Sequence, residues 1–261
     1  MKIVVKIGGA ALDSPETLHK CAHAVADLAA AGHQVAVVHG GGKALTRTLA
    51  QLGKKSDFVN GLRVTDSETR DVALMVLAGH LNKALVAAIH AAGQPGVGMC
   101  GGDGLAFRAR KKATVGQDLG YVGEITTMEP RWLESIWSNG AVPVISSLAL
   151  GGDGQYYNIN ADQMAAACAA GCQANALVFL TDVPGVKGED GTVIRWLHLR
   201  DIPVLIQKAV VSGGMLPKLE ACQLALRGGV GRVRIMPASE ADVLAQLYFS
   251  KIDSGTEVTV Q

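Results

Sequence analysis

The chain has 261 residues, 49% of them hydrophobic but only 4% aromatic, and it sets 24 Lys and Arg against 23 Asp and Glu for a net charge of +1. That length suits one sizeable α/β unit, two-lobed at most, with a core of Ala, Val, Leu and Ile. The balanced charge leaves no footprint for nucleic acid or an anionic membrane surface, and no window approaches eighteen uninterrupted apolar residues, so no membrane span is expected.

Lys2–Ile7 reads as a buried strand from the outset, with no signal peptide before the glycines that follow. Pro15–Ala31 is expected to be a helix, with Ser14 as its cap and Pro15 in the first turn. Gln34–Val38 is a second strand and Ala44–Leu52 a second helix. Ser67–Ala92 reads as one long helix opened by Asp66 or Thr65. Gly96–Cys100 is a short strand, and Leu105–Ile125 alternates as β-hairpins do. Pro130–Ser138 is a helix and Val142–Leu148 a strand. In the second half, Ala161–Ala170, Leu216–Arg227 and Ala241–Tyr248 read as helices, Ala176–Leu180 and Arg232–Met236 as strands, and Glu257–Val260 as an edge strand.

This alternation predicts an α/β fold, a three-layer αβα sandwich about an open, mainly parallel sheet, with ligands at the carboxyl ends of the strands. The softest boundary lies at Ala149–Gly154, so a single domain over residues 1–261 divides into halves of about 1–150 and 151–261. The five Cys, at 21, 100, 168, 172 and 222, have no zinc spacing and read as small apolar core residues in a reduced, cytoplasmic setting.

Two lysines stand beside glycine pairs at opposite ends of the chain. Lys6 ends the first strand before Gly8-Gly9, and Lys218 closes Gly213-Gly214-Met215-Leu216-Pro217-Lys218. Brought together, they form a concentrated positive charge walled by backbone N–H groups, which suits a phosphoryl group in transfer. His39-Gly40-Gly41-Gly42 runs from a strand into a helix, where glycines let an anion approach the helix N-terminus. Gly42-Lys43 is followed by Ala44, so it is not a P-loop. Gly96-Val97-Gly98-Met99-Cys100-Gly101 matches a dinucleotide fingerprint by letter, but its glycines fall within a strand and no helix follows.

Arg63, in Asn60-Gly61-Leu62-Arg63-Val64-Thr65, reads either as a two-pronged carboxylate grip or as a surface salt bridge. Asp162 follows Asn158 and Asn160 at the start of a helix, and either caps that helix or fixes the direction of nearby lysines. Asp182-Val183-Pro184-Gly185 is a turn at the ligand edge. The seven His show no metal spacing, and His39 reads as a structural hydrogen-bonding residue.

Taken in order, Lys6-Ile7-Gly8-Gly9, His39 to Gly42, Asn60 to Thr65, Asn158 to Asp162, Thr181 to Gly185 and Gly213 to Lys218 resemble the amino acid kinase family almost end to end. The resemblance is strongest to the branch acting on N-acetyl-L-glutamate in the second step of arginine biosynthesis. It implies transfer of the γ-phosphoryl of ATP, with Mg2+ carried by the nucleotide and no protein metal site, to the side-chain carboxylate of N-acetyl-L-glutamate. It further implies that the first half holds the acyl amino acid and the second half the nucleotide. By the same resemblance, Lys6 and Lys218 flank the moving phosphoryl and Asp162 orients them. Gly41, Gly42, Arg63 and Asn158 hold the acceptor. Asp182, Val183, Gly185, Val186, Val211 and Ser212 line the nucleotide pocket, and Gly8 and Gly9 offer backbone to phosphate. A homodimer with its face along Ser67–Ala92 is implied. Arginine feedback is not expected, because the chain opens directly with the strand and Tyr248–Thr256 lacks the pattern of an arginine site.

Overall fold

The computed structural model describes residues 1–113, 116–244 and 254–260. β1 (Lys2–Ile7) is followed by one turn of helix, α1 (Gly9–Leu12), and by α2 (Pro15–Ala30), where the Ser14 hydroxyl accepts from the Thr17 N–H at 3.3 Å. β2 (Gln34–His39) enters α3 (Gly42–Gln51) through Gly40 and Gly41. A miniature hairpin follows, β3 (Phe58–Val59) and β4 (Leu62–Arg63). It turns at Asn60 and Gly61, whose φ angles of 49° and 78° match the mirror-image turn that Asn-Gly favours.

The expected long helix is a continuous 25-residue rod, Ser67–Ala91. It comprises α4 (Ser67–Ala73), a π-helical stretch Leu74–Leu81, and α5 (Asn82–Ala91). Its cap is Asp66, whose carboxylate accepts from the Thr69 N–H at 2.8 Å. This helix is long and apolar enough by length and composition to cross a membrane, with a window of mean hydropathy 1.8. Val76, Leu77, Leu81, Leu85, Ala88 and Ile89 are nevertheless buried against the rest of the fold.

The chain continues through β5 (Gly96–Met99), β6 (Phe107–Lys111), β7 (Val122–Met128), α6 (Arg131–Ser138), β8 (Val142–Ser146), β9 (Leu148–Gly151) and β10 (Tyr156–Ile159). Then come α7 (Ala161–Gly171), β11 (Ala176–Thr181), β12 (Trp196–His198), α8 (Ile202–Gln207), α9 (Met215–Arg227), β13 (Arg232–Pro237) and β14 (Thr256–Thr259). Of the expected helix Ala241–Tyr248, residues 245–248 lie outside the described residues, and so do residues 248–253 of the Tyr248–Thr256 stretch.

Among the described residues the main sheet has eight strands in the order β12-β14-β13-β11-β1-β2-β8-β5, parallel throughout except for β13 against β14. β1 is central, flanked by β11 and β2. Alternation along β1 divides the core. Ile3, Val5 and Ile7 pack in one cluster with residues of α2 and α5, and Val4 packs on the other face with residues of α7 and α9. Lys6, two residues on from Val4, leaves the strand on the α7 side, at its carboxyl end.

Three sequence expectations change. β14 is not an edge strand, because β12 pairs along its outer side. β12 escaped notice as only three residues in a turn-rich segment. The strand expected over Val142–Leu148 splits, and β9 leaves the main sheet to close a four-stranded ring with β10, β7 and β6. Gly151-Gly152-Asp153-Gly154, at the softest boundary of the sequence, is the tight turn of the β9–β10 hairpin, with Gly151 N–H donating to Gln155 O at 2.8 Å.

Candidate active site

Lys6, Asp162 and Lys218 arrive from three elements and meet. Lys6 ends the exit of β1, Asp162 lies in the first turn of α7, and Lys218 in the first turn of α9. The Lys6 ammonium donates to Asp162 Oδ1 at 2.8 Å, and the Lys218 ammonium to Oδ1 at 3.1 Å and Oδ2 at 3.0 Å. All three side chains are buried, with 8%, 7% and 6% of the surface of Lys6, Asp162 and Lys218 exposed. The Ala-rich α7 lets α9 approach closely enough for this contact, since Ala costs no side-chain room.

The capping alternative for Asp162 fails on geometry. The cap of α7 is Asn160, whose side-chain oxygen accepts from the N–H groups of Asp162 and Gln163 at 2.9 and 3.2 Å. The Asp162 carboxylate is thus left to the lysines. Burial opposes its ionisation, but the charges and hydrogen bonds of Lys6 and Lys218 outweigh it and hold the carboxyl below its usual range. Burial, with the neighbouring Lys6 charge, lowers the Lys218 ammonium, and Asp162 partly restores it.

Two cavities meet at Gly42, and Lys6 and Lys218 line the larger of them. The first, about 160 Å³, is lined by Gly40, Gly41, Gly42, Arg63, Asn158 and Asn160 with apolar walls from Leu45, Phe58 and Leu77. All four residues read as acceptor-binding are therefore brought together. Arg63 is not a surface salt bridge. Its guanidinium is buried over the Phe58 ring at 4.6 Å and donates to Gly42 O at 2.9 Å, Thr46 Oγ1 at 2.7 Å and Ser56 Oγ at 2.5 Å. Burial lowers its pKa, yet an Arg stays charged at any working pH. A side chain at Gly41 would require Leu81 and Leu77 to move, since an added Cβ would lie 2.2 Å from Leu81 Cδ1 and 2.7 Å from Leu77 Cδ2. Asn158 donates to Thr65 Oγ1 at 3.3 Å. His39 is wholly buried as expected, with Nδ1 bonded to Gly40 O at 2.9 Å and Nε2 to the Asn82 amide at 3.1 Å.

The second cavity, about 480 Å³, opens between the carboxyl ends of β1 and β11 and the start of α9. It is lined by Lys6, Gly8, Gly9, Gly42, Lys43, Asp182, Val183, Ser212 and Lys218, among others. Gly42 borders both cavities. Not every residue read as nucleotide-contacting reaches it. Val186 and Val211 are buried in the apolar core, and the Val186 N–H donates to Thr256 Oγ1 at 2.8 Å. Gly185 lies against Thr256 and Val193. Gly8 lines the cavity, but its N–H donates to Leu180 O at 2.9 Å, so it holds β11 instead of an anion.

The converging lysines, the acceptor-sized pocket and the glycine turn between them are the arrangement that the resemblance implies. Residues 1–237 match the family model described as "Amino acid kinase family". The chain belongs to that family. An acetylglutamate kinase of Acidobacterium capsulatum is 66% identical over 258 residues, covering 99% of both chains. One from Koribacter versatilis is 57% identical over 258 residues, covering 99% of this chain and 98% of its own. Among solved structures, N-acetylglutamate synthase from Neisseria gonorrhoeae, complexed with coenzyme A and N-acetyl-glutamate, superposes with a TM-score of 0.88 at 27% identity, over all of this chain and 59% of that one. A Giardia carbamate kinase shares the fold, with a TM-score of 0.71 at 13% identity over 100% of this chain and 99% of its own.

Several supports of this family's site escaped the sequence reading. Thr46, one turn after Gly42, carried a helical signal, and its hydroxyl donates to Gly42 O at 2.9 Å. Ser56 and Phe58, which hold Arg63 from a loop and a two-residue strand, carried none. No three His, Cys, Asp or Glu side chains among the described residues cluster as a metal site.

Proposed function

We propose that this chain transfers the γ-phosphoryl group of Mg-ATP to the side-chain carboxylate of N-acetyl-L-glutamate, giving N-acetyl-L-glutamyl 5-phosphate and ADP in the second step of arginine biosynthesis. The observation that carries it is the meeting of Lys6 and Lys218 on Asp162 at a cleft that shares Gly42 with an acceptor-sized pocket. The near-identity in length and the 66% identity to an acetylglutamate kinase support the choice of acceptor.

The chemistry needs no general base. A carboxylate is already ionised at neutral pH, so its oxygen attacks the γ-phosphorus directly. The new C–O–P bond forms as the bridging P–O bond to ADP breaks, and ADP leaves with that electron pair. No proton moves. The obstacle is repulsion between anions, and the work of the site is alignment and charge stabilisation. Arg63, Asn158 and the Gly41-Gly42 turn hold the acceptor. Lys6 reaches the phosphoryl from β1 and Lys218 from α9, while Asp162 keeps both ammonium groups aimed. Asp182, Val183 and Ser212 border the nucleotide, which brings Mg2+ with it.

We place the enzyme in the cytoplasm as a homodimer. Met75 on the long helix and Val97 on the edge strand β5 are large apolar side chains left exposed, which supports self-association through this part of the chain. Purified protein given ATP and a panel of N-acetyl-L-glutamate, L-glutamate, an N-acetylated aminoadipate and carbamate tests the reading. ADP release and trapping of the acyl phosphate by hydroxylamine should be strongest with N-acetyl-L-glutamate. Higher kcat/KM on another acceptor overturns the assignment.

A further inference from the structure

Lys43 stands in the donor cleft and has no part in the chemistry above. It is the second residue of α3, beside Gly42, and its exposed side chain borders the same cavity as Lys6 and Lys218. Two features set it apart from an ordinary surface lysine.

The first is its place on the helix. A cation in the first turn opposes the positive end of the helix dipole, and sequences usually put Asp or Glu there. The first turn of α3 holds no acidic residue, and no hydrogen bond or ion pair ties Lys43 to another described residue. A local rule broken without a compensating contact marks a position kept for a ligand. The second is the charge of the centre. Lys6 and Lys218 share the single carboxylate of Asp162, so the three together present only one net positive charge. The acceptor carboxylate and the γ-phosphoryl carry more negative charge than that. Lys43, on a flexible four-carbon stem next to the glycine that borders both cavities, supplies another cation where they meet.

From this we infer that Lys43 is a third phosphate-contacting ammonium, meeting the γ-phosphoryl oxygens of the donor from the acceptor side and helping to draw that group across. The inference rests on the proposed kinase reaction. It distinguishes the terminal phosphate from the rest of the nucleotide, because Lys43 adjoins Gly42, the residue that borders both cavities.

Lys43→Met and Lys43→Arg test it, alongside the unaltered protein. Lys43→Met should lower kcat/KM for ATP about tenfold, the loss of one charge-assisted hydrogen bond, while KM for N-acetyl-L-glutamate stays within about twofold. Lys43→Arg should retain most of the activity. By calorimetry, Lys43→Met should weaken a non-hydrolysable ATP analogue by a similar factor but leave ADP within about twofold, and the thermal midpoint should not fall. Equal loss for ADP and the analogue, equal loss in both variants, or no loss overturns the role of Lys43. The binding arm reads Lys43 even without turnover. An unaltered protein that binds the analogue but phosphorylates no N-acetyl-L-glutamate overturns the proposed reaction instead.

Discussion

Lys218 Nζ lies 3.0 Å from Asp162 Oδ2 across 56 residues of chain, with both side chains nearly withdrawn from water. Lys218 lines the larger cleft instead of filling the core, and in the proposed reaction it meets the moving phosphoryl. Lys218→Ala should therefore lower kcat by roughly 10²–10³, the usual consequence of losing one preorganised donor to developing charge. KM for ATP should change only a few-fold, because the rest of the cleft wall stays. Steady-state ADP release reads both constants, and a near-normal kcat removes Lys218 from the reaction.

Asp162 carries a different prediction, one of stability. Its removal leaves two buried ammonium groups facing each other with nothing between them. Breaking a buried ion pair from one side costs about 3–5 kcal/mol. Asp162→Ala should lose that order of stability in urea denaturation at pH 7. Adding Lys218→Met should restore part of the loss by removing one of the stranded charges. A double variant no more stable than Asp162→Ala would mean that repulsion between Lys6 and Lys218 is not the cause.

The fold was readable wherever a strand or helix was long enough to show its period. Lys2–Ile7, Pro15–Ala30 and Ala176–Thr181 lie within a residue of where alternation and capping put them. The two-residue strands Phe58–Val59 and Leu62–Arg63 were not read, because no period exists over two residues, even though Asn60-Gly61 between them is a strong hairpin signal. In the site, Lys6, Asp162 and Lys218 were legible from motif order. Their contact depends on the register of three separate elements, which composition cannot give. Val186 and Val211 show the converse. They flank Asp182, Gly185 and Ser212 in sequence, yet apolar side chains next to a cleft turn away from it into the core.

Arg63 is held so tightly that a change of shape should matter as much as a change of charge. A planar guanidinium reaches Gly42 O, Thr46 Oγ1 and Ser56 Oγ while stacked on Phe58, which an ammonium cannot do. Arg63→Lys should raise KM for the acceptor about 10- to 100-fold, in line with roughly 1.5–3 kcal/mol for a charged hydrogen bond. KM for ATP should stay within about twofold, since Arg63 does not border the donor cleft. Equal changes in the two KM values would move Arg63 out of the acceptor pocket.

His39 gives the chain a built-in response to acid. Gly40 O can only accept, so Nδ1 carries the ring proton, and Nε2 accepts from the Asn82 amide, which also donates to Val144 O at 2.9 Å. The ring is neutral, and burial brings its pKa from 6.5 down to about 4, with the Gly40 hydrogen bond opposing that shift. In the unfolded chain the ring takes a proton below about pH 6.5, while in the folded chain it does not until about pH 4. The folded-state value is the lower one, so this contribution is complete above pH 6.5 and is lost as the pH falls toward 4. At about 1.4 kcal/mol per pH unit, the loss over that window is on the order of 3 kcal/mol. Urea denaturation from pH 7.5 to 4.5 should show a slope in the native protein about one proton steeper than in His39→Gln. Parallel curves would assign the acid sensitivity to other groups and leave His39 a spectator of the turn it holds.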